Sequence, residues 1–397
     1  MSKKLLIISF DLEIGGVEKS LISLLEELSK SSYDVHLFLM SHTGELMDEI
    51  PDNIKLLPEI PAYATFRKSI KDTFASRFYR IGWERLLAKV KANAAGKQLN
   101  LEEPGYRQMQ WMWERTIERL PQIPGTYDMV ISFLWPHYAA LNAEAPKKAA
   151  WIHTDFSKAE VDRELDRSVW ETFDTIAAVS GTVRQAFLSV YPEFSHKTVV
   201  VENVLPTERI IREAQACEKV TSDNKHILTI ARLSHAKGID TAIYTAAELK
   251  KRNRFSFLWQ VIGYGGEEPA LKKLMEELNV QDCFQLLGKK RNPYTYLKSA
   301  DLYVQPSRYE GKAVTVSEAQ LFGIPVVIAG YPTAAAQVKH LENGIISGQT
   351  SADLADSIED VMLHKEVAAR LRAGCAKLDF SAESQMAQFH ELIRGGP

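Results

Sequence analysis

Cysteine is scarce: the 397 residues hold three, Cys217, Cys283 and Cys375, odd in number and far apart. That excludes a disulfide framework and a cysteine-built metal cluster, and it fits a reducing compartment. Long apolar runs are missing as well, and none approaches the ~20 residues of a membrane-spanning helix. The first apolar run, 5–10, soon meets Asp11 and Glu13. It is too short for a secretory signal and reads as a buried strand, so a cytoplasmic protein is expected, with peripheral contact at the inner face of a membrane left open. There is no excess of one charge: the formal net charge is −3, which gives no global attraction to nucleic acid. A third glycine is absent from the first turn, where Gly15-Gly16 stands without the spacing of a dinucleotide fingerprint, and this disfavours a dehydrogenase.

What is present is a regular alternation. Apolar fraction (45%) and charged fraction (25%) are those of an ordinary globular protein, and the length favours two domains. Short apolar runs at 5–10, 35–40, 129–133, 149–152, 175–179 and 198–201 are separated by longer amphipathic stretches such as 17–28. A second series follows at 226–231, 257–262, 283–287, 302–305, 325–328 and 344–346. Continuous apolar strands alternating with helices predict α/β halves, each a doubly wound, Rossmann-like parallel sheet covered on both faces. The linker is expected near 203–206, before the polar stretch 217–225. The domains are then 1–205 and 206–380, with 381–397 a last helix crossing back to the first half. Ligands of such sheets bind at the carboxyl ends of the strands, so a central cleft between the halves is expected.

The most specific segment is Tyr309-Glu310-Gly311-Lys312-Ala313-Val314-Thr315-Val316-Ser317-Glu318. A strand ends at Gln305, a loop turns, and a helix is expected from about Ala313. Gly311 admits close backbone approach, and the free N–H groups of the helix start suit phosphate. Glu310 lies just before that helix and Glu318 about two turns inside it, so the two carboxylates can grip the hydroxyls of one elongated ligand. On spacing alone, a helix-capping Glu310 and a surface Glu318 are equally good readings. The turn at 231–238 sets Arg232 and Lys237 before Gly238, a possible diphosphate clamp or two solvated charges. Gly15-Gly16 and the strand-end Gly263 fit close approach to a ligand, or plain turns. His153 ends a strand, where a structural histidine is the commoner case.

Together these residues resemble the retaining glycosyltransferases of family 4, which have the GT-B fold. The resemblance is strong over 227–346, looser but ordered over 5–16 and 151–204, and fades between 60 and 125. It implies transfer of a sugar from a nucleotide diphosphate sugar, a UDP-sugar favoured, to an acceptor hydroxyl, with retention at the anomeric carbon. By the resemblance Glu310 contacts the transferred sugar, Glu318 the ribose, Arg232 and Lys237 the diphosphate, and His153 the donor sugar. Gly16 packs on the donor, main-chain groups around Lys312, Ala313 and Val314 complete the phosphate cradle, and Lys289 lies towards the nucleobase, with Gly15, Gly263 and Gly311 counted among the donor-binding residues. No Asp-x-Asp pair stands in a matching position, and neither metal nor cofactor is implied. Two departures stand out: Lys312-Ala313 follows Gly311, an extra cation at the donor, and 330–337 replaces a glycine-rich turn. Similar Tyr-Pro-Thr variants point to bacterial surface-polysaccharide synthesis, with a lipid-linked or polymeric glycan acceptor. A GT-B sugar-nucleotide epimerase or phosphorylase, and a non-catalytic partner subunit, remain the alternatives.

One stretch breaks the alternation. Between Phe66 and Lys91, eight basic side chains face only Asp72 and Glu84, a local charge of +6 that leaves −9 on the rest. Apolar residues recur there at helical spacing. An amphipathic helix with its apolar face in the core is one reading, and contact with an anionic membrane surface is the other.

Overall fold

A computed structural model describes residues 2–101, 103–215 and 224–394; Cys217 and most of the polar stretch around it lie outside these. The chain divides into two compact units, 1–204 with 385–397, and 205–384.

The first unit is built on a parallel sheet of seven strands: β1 (Lys4–Ser9), β2 (Asp34–Leu39), β3 (Lys55–Leu56), β4 (Met129–Ser132), β5 (Lys148–Ile152), β6 (Thr175–Ala178) and β7 (Thr198–Val200). Their spatial order is β3-β2-β1-β4-β5-β6-β7. β1 therefore lies between β2 and β4, and the direction of winding reverses at the β1/β4 junction. Every residue of β4 is buried, as a strand covered on both faces requires. The helix Gly16–Ser29 turns Leu21, Ile22, Leu24, Leu25 and Leu28 to the core, an inward stripe at the helical period.

Residues 385–394 belong to this unit, although the chain reaches them last. Met386, Phe389, Leu392 and Ile393, from the helix Ala382–Arg394, are part of the first core. The Phe389 ring stacks on Trp151 at 5.9 Å, and Lys3 Nζ donates to the Ile393 carbonyl at 2.6 Å.

The second unit has a six-stranded parallel sheet: β8 (Lys225–Ile230), β9 (Phe257–Ile262), β10 (Phe284–Leu286), β11 (Leu302–Gln305), β12 (Val326–Ala329) and β13 (Ile345–Ser347), in the order β10-β9-β8-β11-β12-β13. The reversal falls between β8 and β11, which pair through Leu302–Ile227 and Tyr303–Leu228. Loops leaving these two neighbouring strands at their carboxyl ends diverge in opposite directions and leave a crevice, the place where such sheets hold ligands. Among the described residues no helix is long and apolar enough to cross a membrane.

The segment 66–91 folds as a short 3₁₀ turn, the helix Ile70–Ala75 and the start of the helix Tyr79–Leu99. The amphipathic reading holds in part: Phe78 packs against the core, and Ile70, Phe74 and Leu86 are half-buried. Phe66 and Ile81 are buried, but Tyr79, Trp83, Leu87 and Val90 point outward. The inner side of the long helix is made of Ile81, Arg85 and small residues.

Candidate functional site

The reversal between β8 and β11 brings together Lys237, from the loop after β8, and Glu310, from the loop after β11. Lys237 Nζ lies 2.6 Å from one Glu310 carboxylate oxygen. The other oxygen accepts from Gln305 Nε2 at 3.0 Å and from Ser307 Oγ at 2.7 Å. Gln305 is itself oriented, since Tyr303 OH donates to its Oε1 at 2.5 Å. Glu310 is thus an 8% exposed carboxylate held by three donors. It caps no helix: the N-cap of Val314–Leu321 is Ala313, which makes no side-chain cap bond.

The loop carrying Lys237 is fastened independently. His235–Lys237 is one turn of 3₁₀ helix, closed by Gly238 at φ +62. A Cβ at Gly238 would sit 2.1 Å from the Pro306 carbonyl oxygen, so the left-handed turn and the close approach both demand glycine. Arg308 then bridges the two loops. Its guanidinium donates to the His235 carbonyl at 2.7 Å and, bidentate, to the Asp240 carboxylate at 2.9 and 2.6 Å. Burial pushes the Asp240 carboxyl up, but hydrogen bonding and charge from Arg308 outweigh it and hold the group below the usual range. Arg232 remains exposed, with no carboxylate in salt-bridge range among the described residues.

Glu318 is the fifth residue of its helix, which starts at Val314, so it is nearer the helix start than the two turns expected. Nor is it a surface residue. Glu318 is 1% exposed, one oxygen accepts from Tyr294 OH at 3.0 Å, and the other has no partner among the described residues. A buried acceptor without a donor costs on the order of 1–3 kcal/mol, which a ligand hydroxyl would recover. Burial first, then the Glu318 charge, pushes the Tyr294 phenol well above its ordinary pKa, so it stays a donor.

One expected cradle group is already committed. Gln337 pairs its amide with Ala313 on both sides, accepting from the Ala313 N–H at 3.1 Å and donating to its carbonyl at 2.6 Å. Ala313 therefore cannot offer its N–H to a phosphate as placed, and that expectation is corrected. Gln337 also donates to Ser317 Oγ at 3.0 Å, and Thr333 Oγ1 donates to the Glu310 carbonyl at 2.7 Å. Side chains of the 330–337 segment thus fix the loop that holds Glu310, Gly311 and half-buried Lys312.

Gly263 follows β9 at φ +156, and a Cβ there would meet the Ala231 carbonyl oxygen at 1.8 Å. Loop packing alone explains this glycine. Its N–H donates to the Gly288 carbonyl at 3.0 Å, and the next residue, Lys289, holds its ammonium 4.8 Å from the centre of the Tyr264 ring.

Gly15, Gly16 and His153 belong to the first unit. Gly15 is the N-cap of Gly16–Ser29, and a Cβ on Gly16 would meet nothing within 4 Å. His153 follows β5, its ring 4.6 Å from that of Phe133. Burial pushes its pKa down to about 3, so the imidazole is neutral at pH 7. His137 behaves alike: buried, with Nδ1 2.8 Å from Ser132 Oγ, its pKa falls to about 3 by burial and then by the nearby His153. Sequence reading missed the supporting residues Gln305, Ser307, Arg308, Asp240, Tyr294, Thr333 and Gln337. Only Gln305, a polar residue ending an apolar strand, carried a signal.

Comparison with known proteins gives a family match over part of the chain and likenesses of fold. Residues 211–377 match the family described as Glycosyl transferases group 1. The amylovoran biosynthesis glycosyltransferase AmsK of Erwinia amylovora is 31% identical over 140 residues, 33% of this chain and 34% of AmsK. The chain spans about a third to a half of the length of the curated relatives it matches. Among solved structures, S. aureus TarM in complex with fondaparinux, α-GlcNAc-glycerol and UDP gives a TM-score of 0.70 at 14% identity, over 99% of this chain and 100% of that one. HepE of Anabaena, in complex with UDP and glucose, gives 0.69 at 16% identity over the same shares. At such identities the likeness is one of fold. Residues 211–377, within the second unit, are thus similar to Glycosyl transferases group 1, and the parallel sheet of each unit is of the kind found in the GT-B fold.

Proposed function

We propose that the chain is a retaining, metal-independent glycosyltransferase that moves a sugar from a UDP-sugar to an acceptor hydroxyl in bacterial surface-polysaccharide synthesis. The observation that carries the reading is the Lys237–Glu310 pair, fixed by Gln305 and Ser307 at the β8/β11 reversal. The unsatisfied oxygen of Glu318 supports it, as an acceptor that a ribose hydroxyl would satisfy. UDP in the TarM and HepE complexes favours that nucleotide, and the name of AmsK favours polysaccharide synthesis.

In the reaction the bond from the anomeric carbon to the diphosphate oxygen breaks and the electron pair leaves with the phosphate. The acceptor oxygen bonds to the same face of that carbon, and its proton passes to the departing phosphate. Negative charge develops on the leaving group, so Arg232 and Lys237 contribute most by stabilising it, together with the N–H groups of Gly311 and Val314 and the Lys312 ammonium. These fixed positive groups do the work a metal does elsewhere. Glu310 orients the transferred sugar, neutral His153 hydrogen-bonds a sugar hydroxyl, Gly15 and Gly16 let the first unit's helix start approach the donor, and Lys289 lies by the base. The acceptor is a lipid-linked or polymeric glycan, met at the cytoplasmic face of an anionic membrane through 66–91.

A thermal-shift screen of UDP- and GDP-sugars with EDTA present tests this. A UDP-sugar is expected to raise the unfolding temperature, by about 2.7 kcal/mol of added stability at a hundredfold excess over Kd. No shift with any nucleotide sugar removes the donor site.

A further inference from the structure

The helix Tyr79–Leu99 is built the wrong way round for a helix that only packs on a core. Apart from Ile81 and Arg85, its inward face is Gly82, Ala88, Ala92 and Gly96, small enough for close contact: a Cβ on Gly82 would lie 2.9 Å from the Phe74 ring. Arg85, on the same side, is used internally, donating to the Thr65 and Lys68 carbonyls and to Thr73 Oγ1. The bulky apolar groups are outside. Tyr79, Trp83, Leu87 and Val90 are 57, 58, 50 and 61% exposed, and their spacing of four, four and three places them in one stripe. Apart from Leu99 at the helix end, the other exposed large apolar side chains, Ile211, Tyr244, Tyr264 and Leu341, are scattered in the second unit.

Charge surrounds the stripe. Arg80, Lys89 and Lys97 are exposed on the same helix, and Lys71 and Arg77 just before it. Among the described residues none of the five has a carboxylate within salt-bridge range. The two local acids are already engaged: Glu84 pairs with Arg115 and Arg119, and Asp72 accepts from Ser69 Oγ at 2.6 Å.

We propose that this face docks on an anionic lipid bilayer, with Tyr79, Trp83, Leu87 and Val90 in the interfacial zone and Arg77, Arg80, Lys89 and Lys97 against the lipid phosphates. An exposed apolar stripe with tryptophan and tyrosine, edged by unpaired cations, matches a bilayer surface in both hydrophobicity and charge. The −9 on the rest of the chain is repelled by that surface, so the molecule approaches by this side. A second copy fits badly, because it would set the same unpaired cations against each other. The residues named here sharpen the membrane contact in the transferase reading. Only the purpose of docking, delivery of a lipid-borne acceptor, rests on that reading.

The test is cosedimentation of the full chain with phosphatidylcholine vesicles, with and without phosphatidylglycerol. Binding is expected with the anionic vesicles only, and it weakens as salt shortens the reach of the charges. Each cation at such a surface is worth roughly fivefold in partitioning, so Arg80→Glu/Lys89→Glu/Lys97→Glu should lose about 100-fold or more. Trp83→Ser/Leu87→Ser/Val90→Ser should lose a similar factor with an unchanged unfolding midpoint, since these side chains are exposed. No binding to anionic vesicles overturns the proposal, as does equal binding to neutral ones. So does a wild-type dimer in sedimentation equilibrium that the serine variant dissolves. The UDP-dependent thermal shift is read on the same samples. Vesicle binding without that shift sinks the donor site and leaves the docking face; the shift without vesicle binding does the reverse.

Discussion

The loops at the reversal point of the second unit and the glycine turn of the first are built in opposite ways. In the second unit, side chains lock every part: Arg308 ties two loops, Gln337 holds Ala313 on both sides, and Gly238 lets backbone touch backbone. At the first turn the Glu18 carboxylate lies over Gly15, 2.1 Å from where a Cβ would be, while the space a Cβ would take at Gly16 is open. Gly238 in the locked site is structural, whereas at Gly16 no contact of the chain demands a glycine.

That contrast can be broken by substitution. The largest effect is expected at Lys237→Ala, a loss of roughly 10²–10³-fold in turnover with the fold intact. An unchanged kcat at saturating donor would make Lys237 merely a partner of Glu310. Next, Gly238→Ala should destabilise the second unit by about 3 kcal/mol, from the left-handed φ and the Pro306 carbonyl together. Gly16→Ala should leave stability within about 0.5 kcal/mol while lowering transfer. Parallel melting curves decide between them, and equal losses in both would erase the distinction.

A further effect concerns pH. Both His137 and His153 have folded pKa values near 3, below the ordinary value of 6.5. The unfolded chain therefore binds protons that the native one refuses, and their stabilisation, complete above pH 6.5, fades as pH falls towards 3. Each contributes a slope of about 1.4 kcal/mol per pH unit across that window. Asp166, raised to about 6 by burial, acts the other way and offsets part of the loss between about pH 4 and 6. Urea titrations at pH 7 and pH 5 should show the wild type weaker at pH 5, and His137→Asn should flatten the difference. A drop of the same size in the variant would put the sensitive group elsewhere.

Much of the fold was legible. Of thirteen strands, the apolar runs located twelve to within about a residue, because a strand buried on both faces must be apolar throughout. β3 escaped, since Lys55–Leu56 is too short to show a pattern. The Lys237 and Glu310 positions were readable from motif order. Most of their supports were not, because hydrogen bonds such as Arg308 to Asp240, 68 residues apart, or Gln337 to Ala313, 24 apart, leave no local signature. The helix Tyr79–Leu99 teaches the sharper lesson. Periodicity reveals that a helix has an apolar face but not which way it looks, and here the small residues took the inside.

The last helix sets an order of assembly. Met386, Phe389, Leu392 and Ile393 complete a core whose other members end at Val204. On the ribosome the first unit must wait for the whole second unit to be synthesised before its own interior closes, on the order of ten seconds or more at ordinary elongation rates. During that interval the Trp151 face that Phe389 will cover stands open, and the nascent chain depends on chaperones or on early folding of the second unit to keep it from aggregating.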